Sequence, residues 1–231
     1  MWRIWPSSVL VRRHHKSFRI RTVGTPVRRK SAVASRGPNR KGGATSKGQV
    51  RIIGGERRGH RLQFVDQGGD LRPSSDRMRE TLFNWLQFEL PGLRVLDLFA
   101  GSGVLGAEAL SRGAQRAVLV EKKRERAADL KRQLLPLFDD RIEIHTADAL
   151  QWAGQSALQF DLVFVDPPYD LGLAEPACAA LEERGLLAAQ AWIYVESRRH
   201  AEEPVVPSNW QLHREKSGGD IRARLFRREE I

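Results

Sequence analysis

Apolar residues along the chain fall into short runs that alternate with helical patterns, beginning about ninety residues from the N-terminus. Five of these runs predict β-strands, because each is four or five residues long and lacks clean apolar and polar alternation. Strands buried on both faces and separated by helices are typical of a parallel sheet with crossover helices. The five runs are 95–99, 117–120, 142–145, 162–165 and 192–195.

Three further segments frame these strands. Short apolar runs broken by glycines predict a small β-hairpin over 50–64. Apolar residues near helical spacing predict a helix over 76–90, with Ser74 or Ser75 as its N-cap. The segment 211–228, with a Ser-Gly-Gly-Asp turn in its middle, predicts an antiparallel hairpin at the sheet edge. The predicted fold class is therefore α/β, a doubly wound, mostly parallel sheet with an N-terminal β-hairpin extension.

The charge of the chain is concentrated at its N-terminus. The formal net charge is +11, yet residues 1–50 hold thirteen Lys and Arg and no acid, which leaves 26 basic against 28 acidic residues elsewhere. We expect residues 1–48 to form a disordered basic tail and residues 49–231 to form one domain. The tail composition fits an RNA-contacting arm, a start codon assigned too far upstream or an organellar transit peptide.

Cysteine, histidine and hydropathy exclude several classes of protein. Cys178 is the single cysteine, so an intramolecular disulfide is impossible, and we expect it in the core of a protein from a reducing compartment. The six histidines lack metal-ligand spacing, and no metal site is expected. No run approaches the roughly 18 apolar residues of a membrane span. The expected protein is a soluble, cytoplasmic monomer.

An acid and a glycine-rich turn mark the first strand of the predicted sheet. Asp97 lies inside an apolar run, where a carboxylate is costly unless backbone amides or a ligand satisfy it. The turn from Gly101 to Gly103 opens a helix, so its amides are expected to do so and to approach a ligand closely. Glu121 follows Gly101 by twenty residues, a spacing that also fits a nicotinamide dinucleotide site.

The order of these residues favours a different cofactor. The acid-x-x-x-Gly-x-Gly pattern from Asp97 resembles the first motif of S-adenosylmethionine-dependent methyltransferases. Further acids stand at or near the carboxyl ends of later strands, where ligands bind in such sheets. We expect Glu121 to accept both ribose hydroxyls, Asp148 and the Ala149 backbone to meet the adenine edge, and Asp97 to stand near the amino-acid end of the cofactor.

A stiff turn, Asp166-Pro167-Pro168-Tyr169, follows the fourth predicted strand. Each proline holds the residue before it in extended geometry, so the turn presents fixed acceptors. The Asp166 carboxylate and the Pro167 carbonyl could accept hydrogen bonds from an exocyclic amino group, and Tyr169 offers a face on which a base can stack. The alternative is a proline-rich turn that merely ends a buried strand.

Four stretches of the chain carry a family resemblance. They are 51–56 (Arg-Ile-Ile-Gly-Gly-Glu), 71–86 (beginning Leu-Arg-Pro-Ser-Ser-Asp-Arg), 97–103 and 166–169. With them the chain resembles the bacterial small-subunit ribosomal RNA guanine-N2 methyltransferases of the RsmD type, from about residue 49 to residue 228, without the tail. The resemblance implies a Rossmann-like class I methyltransferase fold with a seven-stranded sheet, S-adenosylmethionine as methyl donor, and one guanine of 16S rRNA in the assembled or assembling 30S subunit as target.

The resemblance also implies roles for the turn and the arginines. Asp166 and Pro167 would hold the guanine amine, and Tyr169 would stack on the flipped base. Arg77 and Arg79 would reach the cofactor carboxylate or a phosphate, although surface salt bridging is an alternative for Arg79. A cluster of arginines on the predicted hairpin would contact rRNA phosphates. These are Arg51, Arg57, Arg58 and Arg61.

Three other functions remain compatible with the sequence. An adenine-N6 or cytosine-N4 methyltransferase acting on RNA or DNA would use the same Pro-Pro turn. A nicotinamide-dependent oxidoreductase would use the same glycines but would leave Asp97 and the turn unexplained. A non-catalytic RNA-binding assembly factor would act through the basic tail.

Overall fold

The computed structural model describes residues 45–67 and 75–229. Its helices and strands alternate in the order that the sequence predicts. The strands are β1 Thr45–Arg51, β2 Arg61–Gln67, β3 Arg94–Asp97, β4 Arg116–Glu121, β5 Ile142–Thr146, β6 Phe160–Val165, β7 Leu187–Arg198, β8 Trp210–Gly218 and β9 Ile221–Arg228. The helices are α1 Asp76–Trp85, α2 Val104–Ser111, α3 Arg124–Phe138, α4 Ala149–Gln155 and α5 Ala174–Glu183.

Seven strands form one sheet in the order β5-β4-β3-β6-β7-β9-β8. The first five are parallel, and β9 runs antiparallel to both β7 and β8. The predicted mostly parallel α/β sheet with an antiparallel C-terminal hairpin is therefore confirmed. The strand order reverses between β3 and β6, which is the position where ligands bind in such sheets. We call the side on which the parallel strands end the carboxyl edge, and the side on which they begin the amino edge.

Two apolar clusters fill the two faces of this sheet. One joins it to α1, α2 and α3 through residues such as Phe83, Leu110 and Leu134. The other joins it to α4 and α5, and it includes Cys178, which is fully buried as expected. Burial on both faces explains why the strands lack apolar and polar alternation. Within the described ranges, no helix is long and apolar enough to cross a membrane.

Helix α1 is shorter than predicted. Ser75 is its N-cap, with Oγ accepting from the Met78 amide at 3.2 Å, whereas Ser74 lies outside the described residues. The helix ends at Trp85, and Leu86 and Leu90 remain buried in a following turn closed by a 2.9 Å backbone bond between them. The apolar pattern continues beyond the end of the helix, because the residues of the following turn are also buried. The prediction therefore placed the end of the helix too late.

The N-terminal hairpin is longer than the predicted 50–64. Its strands pair from Thr45 opposite Gln67 to Arg51 opposite Arg61, so the first strand begins inside the segment assigned to the tail. The polar residues at the start of β1 gave no apolar pattern from which pairing could be read. The rest of the tail, 1–44, lies outside the described residues.

The tip of this hairpin docks against the C-terminal end of α2. Ser111 Oγ donates to the Gly54 carbonyl at 2.6 Å and accepts from the Arg57 amide at 2.9 Å. The Ser111 carbonyl accepts from the Glu56 amide at 2.7 Å. Gly55 has a φ of 74°, and a Cβ there would lie 1.8 Å from the Ser111 carbonyl oxygen. Because α2 begins at the carboxyl edge and ends at the amino edge, the hairpin tip lies at the amino edge.

Candidate active site

Three acids meet at the carboxyl edge where the strand order reverses. Asp97 is the last residue of β3, Glu121 is the last residue of β4, and Asp166 directly follows β6. Strand β3 pairs with both β4 and β6, so the strands that carry these acids are neighbours. Asp148 stands further out, two residues beyond β5. The structure thus places all four predicted acids along one edge.

Asp97 is the most buried of these carboxylates, at 1% exposure. Its Oδ2 accepts from the Gly106 amide at 3.1 Å, so the predicted partners in the turn 101–103 were wrong. The amide that reaches the carboxylate belongs to the first turn of α2, three residues beyond Gly103. Burial, helped by the charge of Glu121 and opposed by the Gly106 hydrogen bond, raises the pKa of Asp97 to about 7.

The glycine turn requires its glycines for internal reasons as well as for any ligand. Gly101 and Gly103 have φ values of 53° and 72°, in the left-handed region that favours glycine. A Cβ on Gly103 would also lie 2.7 Å from Leu130 Cδ2 and 3.0 Å from Leu134 Cδ1. Gly103 therefore lets α3 pack against the turn.

Glu121 holds this turn in place. Its Oε2 accepts from the Gly101 amide at 3.1 Å and its Oε1 from the Lys123 amide at 2.7 Å. Arg126 Nη1 lies 3.6 Å from Oε1, and the carboxylate is 5% exposed. Each carboxylate oxygen has two lone pairs, so Glu121 retains capacity for a ligand hydroxyl.

Asp148 caps a helix. Its Oδ1 accepts from the Leu150 and Gln151 amides at the start of α4, at 3.1 and 3.4 Å, and its Oδ2 lies 3.0 Å from Lys122 Nζ. The hydrogen bond from Lys122 is the main cause that lowers the pKa of this carboxyl. Ala149, the first residue of α4, is buried. Asp148 thus has a local structural role as an N-cap, which the sequence analysis did not identify.

The Asp-Pro-Pro-Tyr turn projects from the carboxyl end of β6. Asp166 is partly buried, Pro167 is buried and Pro168 is exposed. Pro168 has the expected extended backbone, with φ −55° and ψ 120°, and a single turn of 3-10 helix follows at Tyr169–Leu171. The Tyr169 hydroxyl donates to Glu196 Oε2 at 3.1 Å.

Glu196 is a residue that the sequence analysis did not identify. It is fully buried on β7, and the Tyr194 hydroxyl donates to its Oε1 at 2.6 Å. The sequence held a usable signal, because Glu196 follows the apolar run 192–195 as Glu121 and Asp166 follow theirs.

The predicted arginines do not join the acids. Arg57 Nη2 donates to the Leu137 carbonyl at 2.7 Å, near the end of α3 and at the amino edge. Helix α2, at about 1.5 Å per residue, separates the hairpin tip from the glycine turn by roughly 12 Å. Arg58 and Arg61 are exposed on the hairpin, Arg51 Nε donates to Asp76 at 2.8 Å, and Arg77 is exposed on the first turn of α1.

Arg79 forms a salt bridge from the core, where its Nη2 donates to Asp76 Oδ1 at 2.5 Å. It is fully buried, its Nη1 donates to the Arg51 carbonyl at 2.9 Å, and the same nitrogen lies 3.6 Å from Glu108 Oε2. Glu108 in turn accepts from the Ile53 amide at 2.7 Å and from Arg112 Nε at 2.7 Å. Burial lowers the pKa of Arg79, and the surrounding acids oppose this. The predicted salt bridge is therefore present, although on a buried arginine, and the full burial of Arg79 contradicts the predicted role at a ligand. The side chain fixes the hairpin to α1 and α2.

A cavity of about 270 Å³ lies between the hairpin and the glycine turn. Its walls include Phe64 of β2, Gly101 and Ser102 of the turn, and Arg126 of α3. Asp166 is not among its lining residues, so this cavity is separate from the Pro-Pro turn. Across residues 45–67 and 75–229, no group of three or more potential metal ligands occurs.

Comparisons with known proteins agree with this architecture. A family described as Conserved hypothetical protein 95 matches residues 50–227. The chain is 46% identical over 182 residues to the ribosomal RNA small subunit methyltransferase D of Escherichia coli strain K12, covering 79% of this chain and 91% of the relative. It is 41% identical over 186 residues to the protein of the same name from Haemophilus influenzae, covering 78% and 95%. A solved structure of a putative methyltransferase from Escherichia coli aligns with a TM-score of 0.72 at 44% identity, covering 80% of this chain and all of that one.

Proposed function

Since the chain belongs to the Conserved hypothetical protein 95 family, that of the RsmD-type ribosomal RNA small-subunit methyltransferases, we propose that it methylates the N2 amine of one guanine in 16S rRNA, with S-adenosylmethionine as donor. The observation that carries the proposal is the Asp-Pro-Pro-Tyr turn beside Asp97, where the strand order of the sheet reverses. Asp166, which would accept hydrogen bonds from the amine, follows β6. Asp97, which would face the cationic cofactor, ends the neighbouring strand β3. The relatives' names support an rRNA substrate, and the turn supports the choice of an exocyclic amine.

The residues of the carboxyl edge fit the proposed cofactor. When bound, S-adenosylmethionine supplies an electrophilic methyl group on a positively charged sulfur. Asp97 is a buried carboxylate whose raised pKa reflects the cost of its charge, and a cationic ligand lowers that cost. Glu121 would accept the ribose hydroxyls beside Gly101 and Gly103. We assign Asp148 and Ala149 to the adenine edge and the exposed Arg77 to the carboxylate.

The turn would prepare the guanine amine for reaction. The lone pair of that nitrogen is delocalised into the ring, which makes it a poor nucleophile. Hydrogen bonds from the amine to the Asp166 carboxylate and the Pro167 carbonyl favour a tetrahedral nitrogen and stabilise its developing positive charge. Asp166 then accepts the proton that the nitrogen loses. Stacking of the base on Tyr169 contributes about 1 to 3 kcal/mol.

The hairpin would contact the rRNA at a distance from the target base. Arg58 and Arg61 are exposed near its tip, and Arg57 lies beside them at the amino edge. Contacts with phosphates position a protein without reading bases. A substrate that reaches both edges must be large and structured, which favours the assembled or assembling 30S subunit. We therefore expect a monomer that acts in the cytoplasm, where such subunits are found.

Methyl transfer to purified 30S subunits that lack the modification tests the proposal. Wild-type protein and Asp166→Ala are incubated with labelled S-adenosylmethionine, and the methylated nucleoside is mapped by mass spectrometry. We expect N2-methylguanine in 16S rRNA with the wild type and its loss in the variant. Formation of N6-methyladenine or N4-methylcytosine would contradict the guanine assignment. Binding of the cofactor without transfer to any subunit would favour a non-catalytic assembly factor.

A further inference from the structure

Glu196 stands directly beside the Asp-Pro-Pro-Tyr turn. In the parallel pairing of β6 with β7, Val165 lies opposite Val195, and Asp166 and Glu196 are the next residues of the two strands. Both residues therefore lie one position beyond the last pair between β6 and β7, although β7 continues and pairs Glu196 with Ala223 of β9. Glu196 is fully buried, whereas Asp166 is only partly so. A buried carboxylate at this position is costly, and its partners indicate what it does.

Two phenol hydroxyls donate to the two oxygens of Glu196. Tyr169 reaches Oε2 at 3.1 Å from the turn, and Tyr194 reaches Oε1 at 2.6 Å from the same strand. Tyr194 is itself fully buried and packs edge-on against Phe164, with ring centroids 6.1 Å apart. Burial, followed by the charge of Glu196, holds the pKa of Tyr194 well above its usual range, so this hydroxyl remains a donor. Glu196 is thus fixed from the core side through Oε1, while its Oε2 binds the turn.

The bond from Tyr169 fixes its aromatic ring at both ends. The backbone end follows two prolines, which restrict the turn, and the hydroxyl end is bound to Glu196. A partly exposed tyrosine without that bond would sample several rotamers and lose that freedom when a base stacks on it. Fixing the ring beforehand removes this entropic cost from substrate binding and reaction.

We propose that Glu196 is a positioning residue for methyl transfer, which holds the Tyr169 ring in the orientation that receives the target base. This inference rests on the proposed function, because it assigns a role within the same site. A positioning role differs from a purely structural role for Glu196 and the two tyrosines that bind it. A structural role predicts lost stability, whereas a positioning role predicts lost turnover that passes through Tyr169.

The turn has a second link to β7 that serves as a control. Arg198 Nη2 donates to Asp170 Oδ1 at 2.8 Å, one residue beyond Tyr169. The Asp170 and Arg198 side chains are 81% and 54% exposed. An exposed ion pair of this kind holds its partners weakly. Asp170→Asn therefore removes a tether from the same turn without touching the buried cluster.

The test measures kcat and KM for 30S subunits, the Kd for S-adenosylmethionine and the melting temperature of four variants. They are Glu196→Gln, Tyr169→Phe, the double variant and Asp170→Asn. We expect Glu196→Gln to lower kcat/KM for subunits about tenfold, the loss typical of a hydrogen bond to a charged group. Tyr169→Phe should lower it about threefold or more, and the double variant should be no worse than Glu196→Gln. Asp170→Asn should stay within about twofold of the wild type, and every variant should bind S-adenosylmethionine as the wild type does.

Other outcomes overturn the inference. If the losses of the two single variants multiply in the double variant, Glu196 does not act through Tyr169. Wild-type turnover in Tyr169→Phe would also refute the role of the hydroxyl, and this variant alone decides the matter should Glu196→Gln fail to fold. A wild-type protein that transfers no methyl group to subunits contradicts the proposed function itself, which keeps the two failures distinct.

Discussion

Two aspartates flank strand β6, one near the amino edge of the sheet and one past its carboxyl end. Asp161, near the amino edge, accepts three hydrogen bonds of 2.9 Å from the backbone and side chain of Arg94. The Arg94 side chain is the main cause that lowers the pKa of Asp161. Asp166, just past the carboxyl end, stands in the Pro-Pro turn beside the buried Glu196. The aspartate at the amino edge is thus paired with an arginine, whereas the one past the carboxyl end belongs to a turn that Tyr169 joins to the buried Glu196.

The difference extends to the two edges of the sheet. At the amino edge, Arg116 pairs with Glu143 at 2.8 Å, as Arg94 does with Asp161. At the carboxyl edge, Asp97 and Glu121 accept from backbone amides of the glycine turn and α2. Backbone amides satisfy a carboxylate without cancelling its charge. Glu121 also lies 3.6 Å from Arg126, whereas the buried Asp97 accepts from a backbone amide and lies in none of the ion pairs of the described residues. Asp97 is therefore the carboxylate that can attract a cationic ligand, whereas Asp161 and Glu143 at the amino edge are paired with arginines.

The largest predicted effect separates the two aspartates of β6. Asp166→Ala should lower kcat by about 10²- to 10³-fold, the usual cost of removing one group that stabilises developing charge. Asp161→Ala should leave kcat within about twofold, since its carboxylate bonds only with Arg94 in the described structure. Single-turnover methylation of 30S subunits measures both. Comparable losses in the two variants would show that the edges are not functionally distinct.

The buried pair beneath the hairpin should dominate stability rather than turnover. Glu108→Ala leaves the buried Arg79 and the neighbouring Arg112 without their shared carboxylate, and it should cost about 3 kcal/mol of unfolding free energy. Glu143→Ala, which breaks the exposed pair with Arg116, should cost less than about 1 kcal/mol. Urea denaturation of the two variants provides the comparison, and equal costs would contradict the role assigned to the buried pair.

Asp97 and Asp148, both at the carboxyl edge, should make folding stability depend on pH in opposite directions. Asp97 has a folded-state pKa of about 7, above its unfolded value of 3.8, so the stability it contributes is present below about pH 4 and falls as the pH rises towards 7. Wild-type stability should therefore fall by about 2 kcal/mol relative to Asp97→Asn between pH 5 and pH 8.

Asp148 provides the matched control for this measurement. Its pKa is lowered by Lys122, so its contribution is present at neutral pH and is lost only as the pH falls below the ordinary range of a carboxyl. Asp148→Asn should leave the decline between pH 5 and pH 8 unchanged. Urea unfolding at both pH values measures the difference, and a wild type whose stability matches Asp97→Asn at both would refute the raised pKa.

The smallest predicted effect concerns the hairpin tip. Arg58→Ala and Arg61→Ala should each raise the KM for 30S subunits a few-fold and reduce the salt dependence of binding by about one unit of slope for each phosphate that the variant no longer binds. Arg116→Ala is the control, because this amino-edge arginine is already paired with Glu143. The affinity for 30S subunits, measured over a range of salt concentrations, distinguishes the tip variants from this control. An unchanged slope in the tip variants would exclude phosphate binding there.

The sheet could be predicted because its strands are buried on both faces. Each of the five apolar runs became a parallel strand, and the Gly-Gly turn near residue 218 marked the antiparallel hairpin. The start of β1 could not be predicted, since its residues are polar and pair through the backbone. The end of α1 was placed too late, because Leu86 and Leu90 are buried from a turn. The spacing of apolar residues indicates which residues are buried, and a buried residue can lie in a turn as well as in a helix.

The candidate site was only partly visible in the sequence. The acids after the strands could be located, because strand ends meet at one edge whatever the loops do. The hydrogen-bond partners of these acids could not be predicted, since the bond from the Gly106 amide to Asp97 depends on how α2 packs on β3. Arg79 was misjudged for the same reason, as a charged residue in the core has a meaning only once Glu108 is placed beside it. The position of the hairpin tip at the amino edge likewise follows from docking at Ser111.

The most direct test of the division between the edges is amide hydrogen exchange with and without S-adenosylmethionine. We predict slower exchange with the cofactor at residues 100–104 and 121–123, at the carboxyl edge. The amino-edge loops 112–115 and 157–159 should exchange at an unchanged rate. Protection of the amino-edge loops in place of the glycine turn would contradict the account, because it would place the cofactor at the edge opposite Asp97 and Glu121.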